Sequence, residues 1–168
     1  FNLLKLISLV NFLLRKMSDL NIIKLFEAIL DKSSIIVGDD LKSRFYHIWK
    51  TDIPLESMCL LLPKNTKQVS SILKICNDNQ QEVIIHGGLT NLVGSTKSNK
   101  NQVVLSLEKM NSIIEIDKNG KTLTCESGAI IEDIINTAKD NNLLLPLNFG
   151  ARGSAQIGGA VSTNAGGL

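Results

Sequence analysis

The sequence predicts a mixed α+β fold, and three observations carry that prediction. A short apolar run stopped by Pro63, an amphipathic helix and a second apolar run at 82–86 follow one another as a strand–helix–strand unit. Two alternating runs at 113–117 and 121–125 flank Lys118-Asn119-Gly120, and Asn-Gly in that setting signals a hairpin. Two glycine-rich loops, at 86–96 and 150–168, interrupt regular structure. A hairpin mixed with strand–helix–strand units argues against a regular doubly wound sheet.

The elements follow in order. Residues 1–17 form an apolar extension, too short and too interrupted by Lys5, Arg15 and Lys16 to span a membrane, and followed by no small-residue cleavage site. The first methionine is Met17, which makes translation from Met17 the expected start. Residues 18–57 are read as an N-terminal helix and a lead-in. Ser18 or Asp19 caps the helix, which runs to about residue 31 with Leu20, Ile23, Phe26 and Leu30 on one face. The lead-in is mixed and polar, without periodicity. From residue 58 the pattern sharpens. Met58-Cys-Leu-Leu-Leu62 reads as a buried strand. Asn65 or Thr66 caps a helix to about residue 79, with Val69, Ile72, Leu73 and Cys76 inward. The strand at 82–86 runs into Gly87-Gly88, and a further strand covers 102–107. After the hairpin, Gly128 precedes a helix over roughly 130–140, with Ile131, Ile134, Ile135 and Ala138 on its apolar face. Leu143-Leu-Leu-Pro146 then leads into the glycine-rich run.

Composition excludes several function classes. With 168 residues, 43% hydrophobic and 20% charged, the chain can build one ordinary core, as one domain or part of a larger one. The net charge is +2 and no basic face is interleaved with aromatics, so nucleic acid is not a partner. Cys59, Cys76 and Cys125 are odd in number and fit no disulfide framework or zinc spacing, and they read as small buried core residues. His47 and His86 are the only histidines, and no metal site can be assembled from them. His47 reads as a surface or packing residue.

The loops carry the chemistry. In His86-Gly-Gly-Leu-Thr-Asn-Leu-Val-Gly-Ser-Thr96, successive backbone amides at a strand end make a concave nest suited to phosphate oxygens. Two nucleotide signatures fail. Gly94 is followed by Ser95 where a Walker loop needs lysine, and no spaced glycine triplet opens a helix. Taken singly, each loop reads equally as a plain turn. Together, two uncharged glycine loops rich in amides and small hydroxyls suit a large, flat cofactor with a pyrophosphate.

The ordered set of motifs is specific: Pro63 before a helix, Gly87-Gly88-Leu-Thr-Asn-Leu-Val-Gly94, Leu105-Ser-Leu-Glu-Lys-Met-Asn111, Gly128, Pro146, Gly153-Ser154, and Ile157-Gly158-Gly159 through Asn164-Ala-Gly-Gly167. Over residues 19–168 the chain resembles the FAD-linked oxidases, the fold shared with vanillyl-alcohol oxidase and p-cresol methylhydroxylase. Within them it is most similar to D-2-hydroxyacid dehydrogenases acting on D-2-hydroxyglutarate, D-lactate or glycolate. The resemblance implies the N-terminal part of an FAD-binding domain of the p-cresol methylhydroxylase (PCMH) type over 58–168, truncated before its second half and before a substrate-binding cap. It implies that Gly87, Gly88, Leu89, Thr90, Asn91 and Leu92 cradle the FAD pyrophosphate. It places Gly153, Ser154, Ile157, Gly158, Gly159 and Asn164 along the ribityl and isoalloxazine region. Family members with covalent FAD carry histidine directly after the paired glycines. Leu89 stands there, so FAD is expected to be non-covalent. Asn91 replaces a usual glycine, which its tolerance of positive φ would accommodate. Gln156 stands where relatives often carry histidine.

The implied reaction is oxidation of the CH–OH group of a small D-2-hydroxy acid, with hydride passing to flavin N5 and electrons to a second acceptor. No catalytic residue is assigned within the chain, which alone is expected to be inactive. The alternatives are the same-fold UDP-N-acetylenolpyruvylglucosamine reductase and a non-catalytic FAD-binding remnant. The expected compartment is the cytoplasm, or the mitochondrial matrix in a eukaryote.

Overall fold

The computed structural model describes residues 21–167. The apolar extension, the helix start at Ser18 or Asp19, and Leu20 lie outside the described residues. The first described element, α1 (residues 21–27), buries Ile22 and Phe26, with Ile23 only partly covered, and Leu30 in the turn after it is buried too. Phe26 and Leu30 are thus inward as expected, while Ile22 takes the buried place expected of Ile23. Spacing of four keeps Ile22, Phe26 and Leu30 on one stripe, and Ile23 falls beside it.

The lead-in, opaque to periodicity, contains two 3₁₀ turns, Lys32–Ser34 and Gly38–Ser43, around a short strand β1 (Ile35–Ile36). Strand β2 (Cys59–Leu61) follows, fully buried. Helix α2 (Thr66–Asp78) is capped as expected: Asn65 Oδ1 accepts from Gln68 N at 3.0 Å, and Gln68 Oε1 accepts from Lys64 N at 2.7 Å. This resembles a capping box in which the return bond reaches one residue further out. Strands β3 (Val83–His86) and β4 (Val103–Ser106) complete the main sheet.

The sheet order is β1-β2-β4-β3, with β2, β4 and β3 parallel and β1 antiparallel to β2. Strand β4 is thus inserted between the two strands of the strand–helix–strand unit. Adjacent parallel strands need a long crossover, usually a helix. Here residues 87–102 make the β3-to-β4 crossover with no helix or strand. Such a long irregular connection inside a packed unit is characteristic of functional loops.

Alternation splits the sheet into two faces. Cys59, Leu61, Val103 and Leu105 pack against Ile22, Phe26 and Ile72 from α1 and α2. Leu60, Leu62 and Val104 face Leu41 and Leu55 from the lead-in. A sheet buried on both sides accounts for the unbroken apolar run at 58–62.

The hairpin pairs β5 (Ile113–Asp117) with β6 (Thr122–Cys125). Its turn differs from the Asn-Gly expectation, because positive φ falls on Lys121, not on Asn119 or Gly120. Asp117 Oδ1 accepts from Asn119 N at 2.9 Å and Gly120 N at 3.0 Å, so a side chain organises the turn. Helix α3 (Ile131–Asp140) and the short α4 (Ile157–Ser162) share a third cluster formed by Ile131, Ala155 and Ala160.

On α2, Ile72 is fully buried, whereas Leu73 is 43% exposed although periodicity placed both inward. Ile72→Ala is expected to cost about 2–5 kcal/mol in urea denaturation, and Leu73→Ala about 1 kcal/mol or less. Equal losses would contradict this packing.

Candidate functional site

The strands β3 and β4 end side by side at His86 and Ser106. Ligands of open parallel sheets collect at this carboxyl edge. A cleft of about 230 Å³ opens there, and Arg44, His86, Gly87, Leu89, Ser106 and Glu108 are among its lining residues. The Arg44 guanidinium pairs with the Glu108 carboxylate, and Ser106 Oγ donates to Glu108 Oε2 at 3.2 Å.

The loop leaving β3 is held from its outer side. Asn91 Oδ1 accepts from Ser95 N at 3.1 Å, and its Nδ2 donates to Thr96 Oγ1 at 2.9 Å. Thr96 Oγ1 donates to Tyr46 O at 2.6 Å, and His86 Nε2 donates to Thr96 O at 2.8 Å. The backbone amides from Gly87 to Leu92 meet no protein acceptor among the described residues. Leu89, at φ 58, takes the left-handed conformation, and Asn91 does not. Asparagine is thus accommodated here by its side-chain bonds, not by the φ tolerance expected for it.

The two glycine loops meet. A Cβ on Gly88 would lie 2.0 Å from Ser154 O and 2.8 Å from Ala155 Cα. A Cβ on Gly87 would lie 3.6 Å from Gln156 Oε1. That oxygen is buried and lacks a partner among the described residues. An unpaired buried acceptor costs about 1–3 kcal/mol. Amides without a protein acceptor from Gly87 onward therefore lie beside a buried acceptor, Gln156 Oε1, that has no donor among the described residues.

The other expected residues divide. Ile157 N donates to Ala129 O at 2.9 Å and Gly158 N to Ser127 O at 2.8 Å, so these amides are spent on seating α4. Gly153 faces Glu132, whose Oε2 would lie 3.1 Å from an added Cβ. Gly159 has open space around its Cα, and Asn164 is exposed beyond α4 at φ 49. Gly87, Gly88, Ser154 and Gln156 therefore form the meeting point, with the other positions fanning out from it.

Sequence reasoning missed Arg44, Tyr46, Thr96 and Glu108, and for His47, read as a surface or packing residue, it missed the hydrogen bonds. His47 Nδ1 accepts from Trp49 N at 3.1 Å, so the ring proton sits on Nε2, which donates to Asn91 O at 2.7 Å. No local pattern signals a bond between residues so far apart in sequence. The buried cysteines take no part: burial pushes the Cys59 thiol up to about 12 and Cys76 to about 11. Cys125 is only half-buried, on β6. Among the described residues no group of three His, Cys, Asp or Glu could hold a metal, and no described helix is long and apolar enough to cross a membrane.

Backbone amides without a protein acceptor among the described residues thus stand at a parallel-sheet edge, where a second glycine loop meets the first. Residues 58–168 match the family described as FAD binding domain, and the chain belongs to that family, with FAD as its cofactor. Over 143 residues it is 39% identical to a protein of Oryza sativa subsp. indica named probable D-2-hydroxyglutarate dehydrogenase, mitochondrial, covering 85% of this chain and 26% of that protein. Over 146 residues it is 36% identical to D-2-hydroxyglutarate–pyruvate transhydrogenase DLD3 of Saccharomyces cerevisiae, covering 85% and 29%. The chain thus spans between a quarter and a third of these relatives. The fold is shared with alkyldihydroxyacetonephosphate synthase at a TM-score of 0.77, with 13% identity over 88% of this chain and 32% of that one. p-Cresol methylhydroxylase shares it at a TM-score of 0.63, with 22% identity over 88% and 29%. These likenesses bear out the α+β, PCMH-type fold.

Two outcomes follow from the geometry. Gly88→Ala is expected to destabilise by about 1–3 kcal/mol, because backbone must move, while Gly159→Ala in open space should be neutral or better. Comparable unfolding midpoints for the two would contradict the loop contact. The second concerns His86, whose burial holds the imidazole below its ordinary 6.5; the Thr96 bond opposes this, Arg44 adds to it, and Glu108 opposes it. The unfolded chain then binds this proton more readily than the folded one. Stability is full above 6.5 and is lost as pH falls from there towards the lowered folded value. Urea midpoints should drop between pH about 7 and about 5, and drop less in His86→Gln. An equal drop in both would remove His86 as the cause.

Proposed function

We propose that the chain is the FAD-holding part of a flavin-dependent dehydrogenase that oxidises the CH–OH group of a D-2-hydroxy acid. The observation that carries the cofactor part is the meeting of Gly88 with Ser154, which sets free amides beside the unpaired Gln156 oxygen. Amides of Gly87, Gly88, Leu89, Thr90, Asn91 and Leu92 donate to the diphosphate oxygens. Neutral backbone donors do this without lysine. Gln156 Oε1 accepts from a hydroxyl of the ribityl chain. Ser154 and Gly159 border that chain, and Gly153, Ile157, Gly158 and Asn164 line the region around it. Bound FAD supplies the hydride-accepting chemistry.

The substrate class rests on the names of the relatives in rice and yeast, and D-2-hydroxyglutarate is the first acid to test. Substrate recognition, the onward electron acceptor and turnover belong to the complete protein, and this chain alone holds the cofactor without turning over. Relatives named as mitochondrial favour the matrix over the cytoplasm. Leu89, following the paired glycines, offers no nucleophile, so FAD is held without a covalent bond.

The test is titration of the chain with FAD, read by quenching of flavin fluorescence and of Trp49, the single tryptophan. Saturable quenching that Gly88→Ala abolishes is expected, and acid precipitation should leave all yellow colour in the supernatant. No saturable change would overturn the cofactor site, and colour in the pellet would overturn non-covalent binding.

A further inference from the structure

Segment 44–48 precedes the 58–168 region matched to the family, yet its residues converge on the loop that follows β3. Ile48 N donates to Leu89 O at 3.2 Å, and His47 Nε2 donates to Asn91 O at 2.7 Å. Tyr46 O accepts from Thr96 Oγ1 at 2.6 Å, and Arg44 pairs with Glu108 at the exit of β4.

The peptide geometry gives these bonds a direction. The chain has no cis peptide bond among its described residues, and in a planar trans peptide the carbonyl and the following N–H point opposite ways. Holding Leu89 O toward Ile48 therefore turns the Thr90 N–H away from the segment. Holding Asn91 O toward His47 does the same for the Leu92 N–H. Neither amide has a protein acceptor among the described residues. Alternate carbonyls are anchored on one side so that alternate amides are presented on the other.

His47 is itself fixed for this task. The Trp49 N–H occupies Nδ1 at 3.1 Å, which leaves the proton on Nε2 and aims it at Asn91 O. The ring stands 5.4 Å from the Trp49 ring, centroid to centroid, and is half-buried.

We propose that the lead-in is a strap, with His47 as a positioning residue that aims the Thr90 and Leu92 amides at an anionic, diphosphate-bearing ligand. The identity of that ligand as FAD rests on the proposed function, whereas the aiming of the amides does not. The strap holds the loop in its binding shape before any ligand arrives, so less ordering remains to be done on binding.

The test uses the whole chain and separates the two claims. Backbone ¹⁵N order parameters, measured without flavin, should be near about 0.85 at Thr90 and Leu92 and fall below about 0.6 in His47→Ala. His47→Phe keeps the ring and its packing but has no donor, and should behave like His47→Ala. His47→Gln restores a donor and should recover most of the order. Strands β3 and β4 should be unchanged throughout. A global loss of order in His47→Ala with none in His47→Phe would reduce His47 to packing and overturn the proposal, as would unchanged order at Thr90 and Leu92 in both. In parallel, FAD affinity should fall about tenfold in His47→Phe and recover in His47→Gln. A wild-type chain that fails to bind FAD while the loop order responds as expected would overturn FAD as the ligand and leave the strap standing.

Discussion

The structure turns on the absence of a side chain at Gly88. Its Cα lies so close to the Ser154–Ala155 backbone that an added Cβ would sit 2.0 Å from a carbonyl oxygen. The same device recurs nearby. A Cβ on Gly128 would meet Leu107 O at 2.0 Å, and one on Gly158 would meet Ser127 at 2.8 Å. Each glycine lets one backbone segment lie on another with no layer of side chains between. Through these approaches the parallel sheet, the start of α3 and the start of α4 are drawn to one edge, and the site exists only because they converge.

The insertion of β4 between β2 and β3 sets the second constraint. The β3-to-β4 crossover has to pass over the sheet end with no helix to satisfy its own polar groups. Buried backbone groups need partners. Asn91, Thr96, His86 and His47 supply partners to part of the loop, while the amides from Gly87 to Leu92 have no protein acceptor among the described residues. The polar network and the cradle are two sides of one loop.

Much of this was legible in the sequence where short-range physics decides. The apolar run before Pro63, the Asn65 cap and the runs at 82–86 and 102–107 correspond to β2, α2, β3 and β4. The glycine loops stood out because glycine density is itself a statement about backbone approach. What stayed hidden depends on distant partners. The lead-in shows no periodicity because its residues serve carbonyls and one face of a sheet, not a helix stripe. The hairpin was found through Asn119-Gly120, although Asp117 organises the turn and Lys121 takes the positive φ. Gln156 could be marked as a departure from relatives, but its orphaned oxygen becomes visible only once Gly87 lies beside it.

The position of β3 at the open edge of its sheet has a thermodynamic consequence. An edge strand is hydrogen-bonded to a neighbour on one side only, and its other side offers unpaired backbone groups. The loop departs from this strand and meets a run far along the chain, so a ligand proposed to sit across both would link an edge strand to the segment that leads into α4. Ligand occupancy and folding are then coupled: at a free ligand concentration of a hundred times Kd, the folded state gains about 2.7 kcal/mol. For a sheet of short strands, that is comparable to a sizeable core side chain, so a ligand held at the proposed site would act as a structural member of the fold as well as its cargo.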